Sequence, residues 1–214
     1  MLRYLLILLS PLAASAALAQ TTTTTELAQG PEEKTWSFSL SAYTYILEDD
    51  DEYVQPTLRA DHDWLHLEAR YNYEDQETTS IWIGYNFSFT FGEELALDVT
   101  PMLGGVLGRT EGVAPGYAVT LDWRGFELYS EAEIVIDTND ASDSFLYTWS
   151  ELTYSPIEWL RAGVVVQRTK AYDADFDIQR GLMVGLTYGQ LDFVLYVLNP
   201  DDDPIIVLGV SHEF

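Results

Sequence analysis

The sequence predicts an all-β fold: a single up-and-down antiparallel transmembrane β-barrel of about twelve strands, with short periplasmic turns and acidic extracellular loops. Three observations predict it. From residue 35 to 214, apolar and polar residues alternate with period two almost without interruption, the spacing that gives each face of a sheet its own row of side chains. The segments are separated by connections of two kinds that strictly alternate, one longer and acidic, the other tight. Aromatic residues are abundant, with 14 Tyr, 9 Phe and 6 Trp, which suits strands and the girdles of a membrane barrel.

Taken in order, the longer connections are 48–52, 74–79, 108–116, 137–144, 170–175 and 199–204. The tight ones are 61–63, 92–94, 124–125, 155–158 and 189–190. Such alternation is expected where loops emerge on one side of a membrane and turns on the other. It joins twelve strands with both termini on the turn side; one misread hairpin would give ten or fourteen. A soluble periplasmic barrel or sandwich is the competing fold, with the apolar row turned inward.

Parity assigns the faces. Ile81, Ile83, Tyr85, Phe87, Phe89 and Phe91 form a row suited to lipid, while Trp82, Gly84, Asn86, Ser88 and Thr90 form a polar one. Likewise Leu65, Leu67, Ala69, Tyr71 and Tyr73 are expected outside, with His66, Glu68, Arg70 and Asn72 inside. Phe126, Leu128, Ala132, Ile134 and Ile136 face lipid, and Glu127, Tyr129, Glu131 and Glu133 face the lumen. An Arg or Lys on the lipid face near the midplane costs about 2–4 kcal/mol, so this sorting is strongly biased. Trp36, Tyr73, Phe91, Trp123, Phe126, Tyr154, Tyr188 and Phe214 fall near strand ends on the outward parity. Segments 145–154 and 191–198 fit less cleanly, being apolar on both faces.

The ends of the chain fix its expected location. Residues 1–19 read as a secretory signal: Arg3 supplies the positive charge, 5–12 is apolar, and Ala17-Leu18-Ala19 is a small-x-small cleavage site before Gln20. The apolar part is shorter than the roughly 20 residues of a membrane-spanning helix. Residues 20–34 read as a flexible leader with little to bury, and 35–214 as the barrel. At the other end, Ile206, Leu208, Val210, His212 and Phe214 occupy every second position. A signal-bearing chain whose last strand alternates and ends in Phe resembles Gram-negative outer-membrane β-barrel proteins. The resemblance implies a multi-pass barrel in the bacterial outer membrane, with Phe214 as an assembly signal read by the barrel-assembly machinery.

Composition removes several classes. With no Cys, there is neither a disulfide nor a lipid-modified cysteine. The formal charge is −25, and −25 − 1 = −26 once the signal and its Arg3 are gone. Such acidity argues against nucleic acid as a partner. Contact with lipopolysaccharide would run through bridging divalent cations; outer-membrane lipids are the other expected surroundings.

The expected lumen carries the functional candidates. Its charges are Arg59, Asp61, Glu68, Arg70, Asp98, Asp122, Glu127, Glu131, Glu133, Glu151 and Arg161. The strand order is expected to bring Arg59 to Glu68 and Arg70, and Glu131 to Glu151 and Arg161. Two functions follow. Carboxylates in excess of guanidinium groups form a passage preferring cations, because the low-dielectric wall focuses their field. The same groups paired with one another form a stabilising network and no passage, since breaking a buried pair costs about 3–5 kcal/mol. Tyr43, Tyr45, Tyr53, Trp82, Tyr147, Trp149 and Tyr196 take the inward parity in the extracellular half, either as bulk or as a stacking surface for a flat solute. A porin-like channel for small polar solutes or cations is therefore expected, with a non-conducting structural barrel as the alternative.

An enzyme is not expected. One phospholipase class is also a twelve-stranded barrel, which makes an outer-membrane lipid hydrolase the third reading. Such chemistry needs a nucleophile, a base and an orienting group in reach of one another. The only histidines, His62, His66 and His212, all belong to the periplasmic end, away from the outer leaflet. No cofactor or metal is expected: Asp173, Asp175 and Asp177 imitate an EF-hand start, but Ile178 and Val184 stand where Gly and Glu are required. The runs 49–51 and 201–203 read as solvated loop tips.

Overall fold

The computed structural model describes residues 35–47, 51–171, 177–201 and 203–214. The expected signal and leader, Asp49, Asp50, Asp173, Asp175 and Asp202 lie outside them. The strands are β1 (Ser37–Ile46), β2 (Tyr53–His62), β3 (Leu65–Tyr71), β4 (Thr78–Tyr85), β5 (Phe87–Phe91), β6 (Leu95–Gly108) and β7 (Gly112–Trp123). They continue as β8 (Phe126–Asp137), β9 (Phe145–Ile157), β10 (Leu160–Ala171), β11 (Asp177–Tyr188), β12 (Leu191–Leu198) and β13 (Ile205–Glu213). One 3-10 turn, Ala141–Asp143, sits between β8 and β9.

Apart from β4 and β5, which do not pair with each other, each strand pairs antiparallel with its neighbours in sequence, and β1 pairs with β13 from Ser39↔Glu213 to Ile46↔Ile206. The sheet closes through β4 against β6. Both β4 and β5 pair with β6 in one unbroken register, Gly84↔Met102 and then Phe87↔Val99. They are two halves of one barrel strand, so the barrel has the expected twelve. The break lies opposite Pro101, which has no N–H to give the ladder. Asn86 covers the gap: its amide donates to the Trp64 carbonyl at 2.7 Å, and its Oδ1 accepts from Thr100 Oγ1 at 2.8 Å.

The tight turns use left-handed backbone. Arg124 and Gly125 have φ of 50° and 82°, the type I′ pair that matches strand twist. At the other end one expected loop is mostly strand: β6 and β7 stay paired as far as Val106↔Gly112. Gly116 therefore lies inside β7 rather than in a loop over 108–116. Strand β9 similarly runs on to Ile157, with a register shift against β10 between Leu160 and Ala162.

Faces follow the parity. Ile81 and Ile83 are 65 % and 56 % exposed, while Ser80 and Trp82 between them are at 0 % and 1 %. Around the short-turn end rings touch in series: exposed Trp64 with Tyr85, Tyr85 with Phe87, and Phe126 with Tyr154, and half-buried Phe38 with exposed Phe214. Phe38 and Phe214 also exchange both backbone hydrogen bonds at 3.0 Å, completing the seam. On the outer face Ser130 and Ser150 sit opposite each other and hydrogen-bond at 3.0 Å, so neither hydroxyl needs lipid to satisfy it.

Tyr73 departs from expectation. Strand β3 stops at Tyr71, and Asn72 takes φ +56°, which reverses the alternation. Tyr73 turns to the lumen, against Tyr147. The segments apolar on both faces are also explained: Trp149, Val194, Tyr196 and Leu198 join Tyr45, Val165, Met183 and Val207 in a lumenal core.

If the outer row faces hydrocarbon, Ile83→Arg should cost about 2–4 kcal/mol of folding free energy. Urea unfolding of the protein in lipid vesicles measures it.

Candidate functional site

The lumen holds a belt of charge set by parity and register. Arg59 on β2 lies opposite Glu68 on β3, and its Nε is 3.2 Å from Glu68 Oε1. Arg70 donates from Nε and Nη2 to the two oxygens of Glu68 at 2.9 and 3.3 Å. Its Nη1 donates to Glu133 Oε2 at 2.9 Å. Strands β3 and β8 are not neighbours, so Arg70 to Glu133 spans the barrel interior. Arg59 Nη2 reaches Glu131 Oε2 at 4.0 Å by a second crossing. Glu68, Arg70 and Glu133 are 3–4 % exposed. At that depth an unpaired charge is expensive, and each of these groups has a counter-charge in contact.

Aromatic rings seat the belt. The Arg70 guanidinium lies 4.3 Å from the Tyr73 ring centre and 4.6 Å from that of Trp82, both within cation–π range. Trp82 lies flat over Gly104, where a Cβ would come within 2.6 Å of the indole. Its Nε1 donates to Ser80 Oγ at 2.9 Å.

Glu74, expected in a solvated loop, is buried and accepts from Ser80 Oγ and Trp82 Nε1. Its Oε1 is 3.8 Å from Arg70 Nη1. Glu74 Oε2 and Glu133 Oε1 are buried without a hydrogen-bond partner.

Some expected meetings occur and others do not. Arg59, Glu68 and Arg70 come together, and Glu131 joins them from across the lumen. Glu151 instead accepts from Trp149 Nε1 at 2.6 Å and Tyr196 OH at 2.8 Å. Arg161 grips Asp192 by donating from Nη1 and Nη2 to its two carboxylate oxygens, lying over Gly185. Sequence reasoning missed Asp192, which in the structure shares the inward face of buried Val194. Asp98 accepts from Ser88 Oγ near the turns, and Asp122 opposes Glu127 on the next strand.

The aromatic candidates are packed. Tyr45, Trp149 and Tyr196 belong to the lumenal core, with Tyr43, Tyr53 and Tyr147 against it. Tyr45 stacks on Tyr53 at 4.8 Å. Bulk, rather than an open stacking surface, is their present role.

His66 is held between Asp61, at 2.9 Å from Nδ1, and Glu68, at 3.2 Å from Nε2. A carboxylate on each nitrogen leaves neither one aimed at a hydroxyl. His212 contacts the Gln190 carbonyl, and His62 lies 5.0 Å from the Trp36 ring. Among the described residues no cluster of three His, Asp or Glu is arranged to hold a metal ion.

The geometry has counterparts among solved structures. The KdgM porin matches with a TM-score of 0.57 and 10 % identity, over 82 % of this chain and 99 % of that one. The KdgM porin in complex with disordered oligogalacturonate gives 0.56 and 9 %, over the same shares. This chain shares the barrel fold of that porin. No protein-family model matches the sequence, and neither does any curated protein.

Removing Arg70 should be far worse than removing the cluster it serves. Arg70→Met leaves Glu133 without a counter-charge and Glu68 with Arg59 as its only guanidinium partner, and should cost about 3–5 kcal/mol. Adding Glu133→Leu should restore part of that loss. A double-mutant cycle by denaturant unfolding gives the coupling, and strict additivity would dismiss the cross-lumen strut.

Proposed function

We propose that the protein is an outer-membrane porin-like channel through which small polar solutes or cations diffuse passively. The observation that carries this reading is the lumen's charge: Asp61, Glu68, Glu74, Asp98, Asp122, Glu127, Glu131, Glu133, Glu151 and Asp192 face Arg59, Arg70 and Arg161. An excess of carboxylates inside a low-dielectric wall attracts cations and repels anions. The twelve-stranded architecture and its porin counterparts support it.

The passage would follow the side of the lumen that solvent still reaches. Side-chain exposure there is 22 % for Arg59, 26 % for Asp61, 16 % for Arg161 and 24 % for Asp192. Tyr43, Tyr129 and Glu151 along it are half-buried. Glu68, Arg70 and Glu133 are nearly sealed, so they brace the wall, and selectivity falls first to Asp98, Asp122, Glu127 and Glu151. An anionic oligosaccharide such as oligogalacturonate is a poor solute for this interior.

A second reading, a non-conducting structural barrel, is favoured by the same burial of Arg70 and its partners. Planar-bilayer recording of residues 20–214 under a KCl gradient separates the two. The channel reading predicts discrete openings with a cation-directed reversal potential, reduced in Glu151→Gln. Folded, inserted and silent protein would leave the structural reading.

A further inference from the structure

We infer that residues 72–77 form an inserted constriction, and that Tyr73 at its tip limits what enters from the long-loop end. The inference rests on the channel reading. The segment leaves the wall because Asn72 adopts φ +56°. Asn72 then pins the reversal: Nδ2 donates to the Val54 carbonyl at 3.0 Å, and Oδ1 accepts from the Glu77 amide at 2.8 Å. Glu77 is also left-handed, at φ +57°, and returns the chain to β4.

Between these two points the side chains enter the barrel. Glu74 bonds Ser80 and Trp82 on the near wall. Tyr73 lies beneath the Arg70 guanidinium and meets Tyr147 edge-on, with ring centres 5.7 Å apart. Strands β3 and β9 are far apart around the ring, so this contact reaches across the mouth. A loop drawn inward by a buried carboxylate, with an aromatic touching the opposite wall, narrows the lumen. A solute arriving from the loop side must pass the Tyr73 ring.

The chain has no Cys, which makes thiol labelling clean. In planar bilayers, Tyr73→Cys should lose conductance when a charged methanethiosulfonate reagent is attached, and regain it with a reductant. Thr79→Cys, whose side chain is exposed on the outer face, should keep its current under the same treatment. Tyr73→Ala, which needs no labelling, should conduct more than the wild type. Full labelling of Tyr73→Cys with unchanged current, or wild-type conductance in Tyr73→Ala, would overturn the constriction while the channel reading stood. Silence from folded, inserted wild type would overturn the channel reading and the constriction with it.

Discussion

A backbone N–H or C=O in hydrocarbon has no solvent to bond, and the rest of this structure depends on meeting that demand. Each unmade bond costs several kcal/mol, so a sheet crossing a membrane must close on itself. Here the last strand pairs with the first, and where β4 gives way to β5 opposite Pro101, Asn86 bonds to the strands on both sides. Closure fixes register, and register fixes which side chains share the interior.

The interior then has to reconcile many carboxylates with few cations. It does so unequally. Arg70 carries the heaviest duty, touching Glu68 beside it, Glu133 across the lumen and Glu74 from a loop, with rings of Tyr73 and Trp82 on its faces. Arg59 and Arg161 hold their pairs at positions water still reaches. A braced, dry sector and a wetter, acidic one thus share a single barrel. Aliphatic and aromatic bulk fills the space toward the loops, where Val207 and Leu198 are fully buried.

Period-two alternation made the barrel, its strand count and the facing of β4 and β8 legible, because a strand's face depends only on parity. What parity does not carry is distance across the ring. That Arg70 meets Glu133, or that Arg59 reaches Glu131, depends on barrel cross-section and side-chain length, not on any local pattern. A second failure was local: Asn72 turns left-handed and draws the segment up to Glu77 inward, whereas Tyr73 was expected on lipid and Glu74 in a loop. Asn before an acidic stretch was the available signal. Asp192 was hidden for another reason, since a strand apolar on both faces gives no parity contrast.

In the proposed channel, inward carboxylates govern what passes. Liposome swelling tests it without electrodes: proteoliposomes are placed in isotonic glucosamine or in glucuronate, solutes of similar size and opposite charge. The account predicts faster swelling with the cationic sugar, and a preference that weakens at high salt as screening shortens the reach of the lumen charges. Equal rates for both, or faster uptake of the sugar acid, would contradict it.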